Sequence, residues 1–308
     1  MEATLDDIDT KQFINEYLPK AIDEEVLAAD TRSIKEQMAS LRLYNMKYDC
    51  PTNAAIILFG KNPKYFLFGD YIQYVSFGGK DNAAPIIKEK EFMGSLMTML
   101  PRIDDFIGDS LIVARPVPVT NLREEIQKNY PKWAIRELVM NALMHRDYKT
   151  NTPTKLYQYD DRLEITNAGG LYGNARPENF PNVNDYRNPI VAEALRVLGY
   201  VNKFNRGIAR VQEELQENGN GKAQFDVDKL TVFSVIVNDN ANAKTSTKTS
   251  TKIMAAIMEN PGVSLDELSE QMGISRSGVR WNIDKLKREG VIKREGGRKN
   301  GRWVVIEK

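Results

Sequence analysis

The sequence predicts an α+β protein in two unequal parts: a mixed helix and strand body, then a small basic module rich in helix. Three observations carry this expectation. Helix-period and strand-like apolar runs intermingle over the first 237 residues. A polar repeat, Asn238-Asp239-Asn240-Ala241-Asn242-Ala243 followed by Lys-Thr-Ser-Thr twice over, then breaks the pattern without one large apolar side chain. Charge is also divided unevenly, because residues 240–308 hold 14 Lys/Arg against 8 Asp/Glu while the whole 308-residue chain totals only +1. A basic tail on an acidic body points to a terminal module that faces a polyanion.

Composition removes several classes of function. One cysteine, Cys50, and one histidine, His145, exclude a disulfide framework and zinc sites of the finger or ribbon type. Any Ser-His or Cys-His hydrolase would have to use His145. No run approaches the roughly 18 apolar residues of a membrane span. Asp6, Asp7, Asp9 and Glu16 stand where a signal peptide would be cationic and then apolar. The expectation is a soluble, cytoplasmic protein.

Taken in order, residues 1–45 predict helices, from Ile22, Val26 and Leu27 and then Ile34, Met38 and Leu41 at helical intervals. Ala54 to Phe59 and Tyr71 to Phe77 predict strands, Glu91 to Ile107 an amphipathic helix, and residues 111–119 a further strand. Residues 1–120 thus form an N-terminal α/β segment packed beside the remainder of the body. Pro131 opens a strongly predicted helix reaching His145, since proline at a first turn loses no needed N–H. Most of this helix is apolar, yet Glu137, Asn141 and His145 recur every four residues and share one stripe. A buried polar stripe needs partners, because each unsatisfied group costs about 1–3 kcal/mol. Those partners are a ligand or, alternatively, the protein itself: Arg136, Arg162 or Arg187 for Glu137, a loop for Asn141, and the helix end for His145.

Thr154 to Tyr159, a turn at Asp160-Asp161, and Arg162 to Thr166 predict a hairpin that runs into Asn167-Ala168-Gly169-Gly170-Leu171. The paired glycines permit positive φ and close approach of backbone to a ligand. A Gly, Pro and Asn-rich stretch comes next, with a helix capped by Asn188, started by Pro189 and ended by Gly199. Asn205-Arg206-Gly207-Ile208 then leads into a helix ending near Asn218-Gly219, whose N-terminus suits phosphate. Two decoys fail. His145-Arg146-Asp147 imitates a kinase triplet, but Thr152 stands where the kinase asparagine belongs. Gly221-Lys222 lacks the first glycine of a phosphate loop and is followed by alanine, so no helicase motor is present.

The strings Ala134 to Tyr148, Leu163 to Leu171, Arg187-Asn188-Pro189 and Asn205 to Ile208 together resemble the GHKL ATP-binding fold of gyrase B, Hsp-type chaperones, histidine kinases and mismatch-repair proteins. They are most similar to its divergent form in bacterial transcription regulators of the RecG-like C-terminal or Schlafen AlbA-type family. The resemblance implies a GHKL-like α/β sandwich over residues 121–237 that takes ATP and Mg²⁺, and it makes residues 1–120 the remainder of an AlbA-type domain. It places Glu137 as the base that would polarise an attacking water and Asn141 as the Mg²⁺ ligand. Asn167, Gly169, Gly170, Arg187, Asn205 and Gly207 are assigned to the nucleotide. Two positions depart from the pattern: Asn167 stands where the family uses aspartate for the adenine amino group, and Asn205 where it uses glycine. An amide must be oriented where a carboxylate need not be, so ATP binding is expected more than hydrolysis.

Residues 238–252 predict a flexible linker, and residues 253–308 the basic module. Ile253 to Met258 makes a first helix, Ser264 and Glu267 a capping box for a second, Gly273-Ile274 a turn, and Ser275 the start of a third. Val279, Ile283 and Leu286 form the inward stripe of that third helix, which leaves Ser275, Arg276, Ser277, Arg280 and Trp281 outward. Two strands from Val291 to Ile306 flank a Gly-rich tip with Arg298, Lys299 and Arg302. The arrangement resembles a winged helix-turn-helix that binds double-stranded DNA, with the third helix at base edges and the wing on phosphate. The expectation is a transcription regulator in which ATP acts as a switch, a dimer if its sites are palindromic. The alternatives are an ATPase that remodels a nucleic-acid-bound partner and a DNA-binding protein whose pocket is vestigial.

Overall fold

A computed structural model describes residues 3–118, 122–183, 185–201, 207–240, 252–288, 290–296 and 301–306. The chain divides into two compact units, Met1–Asp239 and Asn240–Lys308.

The first unit begins with short helices, among them Ile34–Ser40, whose Ser33 and Glu36 form a reciprocal capping box. Helix α1 (Asn53–Phe59) stands where the apolar run predicts a strand. Its residues Ala55 to Phe59 are all buried, and an apolar run wrapped by core on every side carries no period by which helix and strand differ. Thr52 decides the outcome, accepting the Ala55 N–H at 3.4 Å as N-cap. Strand β1 (Tyr71–Phe77) forms as expected. Strand β2 (Ile86–Met93) occupies the start of the stretch expected to be helical, and helix α2 (Leu96–Phe106) begins only after Ser95 caps it. Alternating Lys88-Glu89-Lys90-Glu91 on a sheet edge satisfies the strand period, and the strand it starts runs on through Met93 into the stretch expected to be helical.

A small hairpin of β3 (Ala114–Pro118) and β4 (Glu124–Lys128) precedes helix α3 (Lys132–His145). Strands β5 (Thr154–Gln158) and β6 (Arg162–Ala168) form the expected antiparallel hairpin. Helices α4 (Pro189–Val197) and α5 (Gly207–Asn218) and strands β7 (Gln224–Asp226) and β8 (Val232–Asn238) complete the unit.

One six-stranded sheet runs in the order β2-β1-β5-β6-β8-β7, antiparallel throughout except where β1 lies parallel to β5. Ile72 to Ser76 pair with Thr154 to Gln158, so residues before and after position 120 share a sheet and a core. The expected N-terminal segment packed beside the nucleotide fold is instead part of the same sheet. Two strands alone bury too little to stand apart, and the β1–β5 ladder gives them a core.

Beyond α3 the chain turns on a buried ion pair, Arg146 Nη1 to Asp70 Oδ1 at 3.7 Å, with Arg146 Nη2 also donating to the Thr152 carbonyl. Burial pushes the Asp70 carboxyl up to about 7 against the pull of Arg146. Asn188 stands at the N-cap of α4 but does not cap it. Its amide donates instead to the carbonyls of Met144 and Arg146, closing the C-terminus of α3.

The second unit packs a helix at residues 252–259, α7 (Leu265–Met272) and α8 (Arg276–Arg288) around Ile257, Leu268, Val279, Ile283 and Leu286; the helix at 252–259 is α6. The Ser264 capping box forms, and Gly273 ends α7 at φ +63°, a left-handed position suited to glycine. Strands β9 (Ile292–Glu295) and β10 (Arg302–Val305) make the antiparallel wing. Buried Trp303 donates from Nε1 to the Val263 carbonyl at 3.1 Å and so fixes the wing to the helices.

Candidate functional site

Helix α3 buries eight of its 14 residues, and its polar stripe opens on the cavity that they leave beside it. The cavity measures about 550 Å³, within the range that holds a drug-sized or nucleotide-sized ligand. Glu137, Asn141 and His145 line one wall, Asn167, Gly169 and Gly170 another, and Gly207 opens α5 at the third. Seven residues from three stretches of sequence thus line one cavity, six of them positions that the resemblance assigns to the nucleotide site, with His145 beside them.

Burial raises the Glu137 carboxyl above the ordinary range, opposed by the Asn141 hydrogen bond and by the charges of Arg136 and Arg210. Asn141 Nδ2 donates to Glu137 Oε1 at 3.4 Å, which leaves its Oδ1 as an acceptor. Neither Arg162 nor Arg187 takes Glu137 as partner: Arg162 pairs with Asp161 and Glu164, Arg187 with Asp147, and Arg136 donates to the Tyr200 carbonyl. Helix α5 starts so close to Glu137 that a Cβ on Gly207 would run into the carboxylate. His145 stacks on Tyr186 with ring centroids 5.3 Å apart, and burial, helped by the charge of Arg187, lowers its pKa to about 4. It is neutral at physiological pH.

The two glycines serve different ends. Gly169 adopts φ +89°, which side chains rarely take, and a Cβ there would sit tightly at 3.1–3.2 Å from Asp147 and Arg187. Gly170 lies against the backbone of Lys229 and Leu230, donating to the Leu230 carbonyl at 2.9 Å, so its missing Cβ admits a neighbouring chain. Arg187 stands behind this turn, not in the cavity wall: it donates to the Gly170 carbonyl at 3.2 Å and covers the Tyr172 ring. Asn205 lies outside the described residues.

Sequence reasoning missed an aromatic cluster of Phe180, Phe225 and Phe233, with centroids 5.3–6.0 Å apart, on the far side of the cavity. Phe233 is the direct cross-strand partner of Asn167, as Val235 is of Ile165. Only the hairpin-to-β8 register reveals this, since more than 60 residues separate the members of each pair. Arg210, its guanidinium 4.0 Å from the Trp133 ring centroid, closes the Glu137 end.

A Mg²⁺ ion demands oxygen ligands and keeps water and phosphate in its shell. The free Oδ1 of Asn141 beside Glu137 fits that need, and among the described residues no cluster of three or more His, Cys, Asp or Glu offers a metal cage of its own.

In the second unit Ser275 Oγ accepts the Gly278 N–H at 3.2 Å and so caps α8. Arg276, Ser277, Arg280 and Trp281 are exposed along the first turns, with Arg276 held by Asp266 at 3.1 Å. Arg302 is exposed on the wing near Glu295, while Arg298 and Lys299 lie outside the described residues. Among the described residues no helix is long and apolar enough to cross a membrane.

Residues 151–237 match a family described as putative ATP-dependent DNA helicase recG C-terminal. Residues 246–293 match a winged helix-turn-helix DNA-binding family. No curated protein matches the chain. Among solved structures, the DIP2311 protein from Corynebacterium diphtheriae is similar in fold, with a TM-score of 0.57 at 16% identity over 99% of this chain. The chain spans 63% of the length of that protein. These two matches show that the chain carries a RecG C-terminal-like domain of GHKL type followed by a winged helix-turn-helix domain.

Proposed function

We propose that this protein is a transcription regulator whose winged helix binds double-stranded DNA and whose GHKL-type cavity takes a purine nucleotide, ATP being the one the resemblance implies, as a switch. One observation carries the reading. A single cavity collects Glu137, Asn141, Asn167, Gly169 and Gly207, the residue types that a nucleotide and its metal require. Asn141 would hold Mg²⁺ with the phosphates, which would neutralise their charge; the start of α5 faces the same end. Exposed Arg276, Arg280 and Arg302 supply the phosphate-facing charge of the DNA module.

A second reading, slow ATP hydrolysis, is favoured by the place of Glu137 in the cavity wall beside Asn141, where burial raises its carboxyl above the ordinary range and makes it a stronger base. Calorimetry of the full chain with ATP and Mg²⁺, beside Asn141→Ala, tests the switch. Saturable binding that is lost in the variant supports it, with DNA affinity changing on nucleotide addition. No binding of ATP or of any other purine nucleotide at millimolar concentration would leave a winged helix on a vestigial scaffold.

A further inference from the structure

We infer that the cavity selects a purine with a ring carbonyl at C6, as in guanine and hypoxanthine, over one with an amino group there, as in adenine. The inference rests on the nucleotide reading above and concerns only the base. It comes from Asn167 and the residue behind it. Asn167 is 3% exposed on β6 and lines the cavity. Its Oδ1 accepts from the hydroxyl of Thr154, 3.2 Å away on the neighbouring strand β5. Thr154 has no exposed surface, and among the described residues this is the one hydrogen bond that either side chain makes.

That contact orients the amide. A hydroxyl has one proton to give, and a buried one must find an acceptor. With Asn167 Oδ1 toward Thr154 the proton is satisfied. Turned over, the amide would aim its own N–H at the hydroxyl oxygen and strand the hydroxyl proton in a dry site. Asn167 therefore turns its NH₂ to the cavity. An aspartate at this position would offer an acceptor to an amino group; the oriented asparagine offers a donor, which a purine 6-carbonyl turned toward it satisfies and a 6-amino group in the same place opposes.

The surroundings make this donor decisive. Phe233 sits directly across from Asn167 in the β6–β8 register, and Phe180 and Phe225 pack on it. Aromatic rings thus line the cavity beside Asn167 and offer the donor no competing polar partner of their own, and a site built for one hydrogen-bonding edge rejects its opposite.

The test is calorimetry of the full chain with Mg²⁺ and GTP, ITP or ATP. GTP and ITP are expected to bind about tenfold or more tighter than ATP, ~1.4 kcal/mol. Thr154→Val replaces the hydroxyl with a methyl of similar size and frees the amide to turn, so the gap is expected to fall below about threefold. Asn167→Asp is expected to reverse the preference, with thermal melts confirming that both variants are folded. Wild-type ATP affinity equal to or above that of GTP, or a gap that Thr154→Val leaves intact, overturns the base selection while the nucleotide reading stands. No binding by any of the three overturns both.

Discussion

Helix α3 of the first unit and helix α8 of the second use one periodicity in opposite senses. In α3 the residues at four-residue spacing that face the cavity are Glu137, Asn141 and His145, set among eight buried neighbours. In α8 the inward stripe is Val279, Ile283 and Leu286, and the polar residues Arg276 and Arg280 lie outside with Trp281. The α3 arrangement makes each polar group answerable to a bound partner, because water cannot reach it freely. The α8 arrangement leaves charge hydrated and free to exchange solvent for a polyanion. A site of the first kind is sensitive to volume and protonation, and one of the second kind to salt.

The largest expected effect is on the inward site. Gly207→Trp is expected to weaken nucleotide binding more than about 100-fold, ~2.7 kcal/mol, because even a Cβ there meets Glu137. Calorimetry that finds unchanged affinity in a folded variant would remove the start of α5 from the site. Next in size is a change that tests whether the units stand alone. Leu268→Ala, at a fully buried position in the second core, is expected to cost about 2–4 kcal/mol. Denaturant melts should show the loss in the transition of the second unit only, and a matching shift in the first would dissolve the division.

For the outward face, the double variant Arg276→Ala with Arg280→Ala is expected to lower the slope of log affinity against log salt by about 2, measured by fluorescence anisotropy on duplex DNA. An unchanged slope would move the phosphate contacts elsewhere. The smallest effect is on pH. The pKa of His145 falls from 6.5 to about 4 on folding, so the stability it contributes is complete above 6.5 and is lost as pH falls through about 4. His145→Phe should flatten that acid limb by about 1–2 kcal/mol, allowing for its partial exposure. A chemical-denaturation series at pH 7 and pH 4 that shows equal losses in both proteins would assign the limb to other groups.

Much of the site was legible because its signals are local. The stripe on α3, the glycine pair after β6 and the Ser264 capping box each lie within one element, where spacing fixes the face and a side chain caps its own helix. Elements whose identity depends on surroundings were not legible. Ala55 to Phe59 has no period because core covers it on every side, and Glu91 to Met93 reads as the start of a helix until the sheet edge is known. The Arg146–Asp70 pair had no signal at all, since 76 positions separate two charges that only the crossing of chains brings together.

By itself the sequence determined the two-part organisation, the polar stripe and its spacing, and the winged module with its outward cations, since all of these arise from periodicity, capping and composition within short windows. Tertiary structure alone decided that strands β1 and β2 share a sheet with the strands that follow α3, that Arg187 stands behind the cavity, and that Thr154 holds the amide of Asn167. These depend on strand register and on which buried groups find partners, and a buried hydrogen bond is settled only when every strand around it is in place.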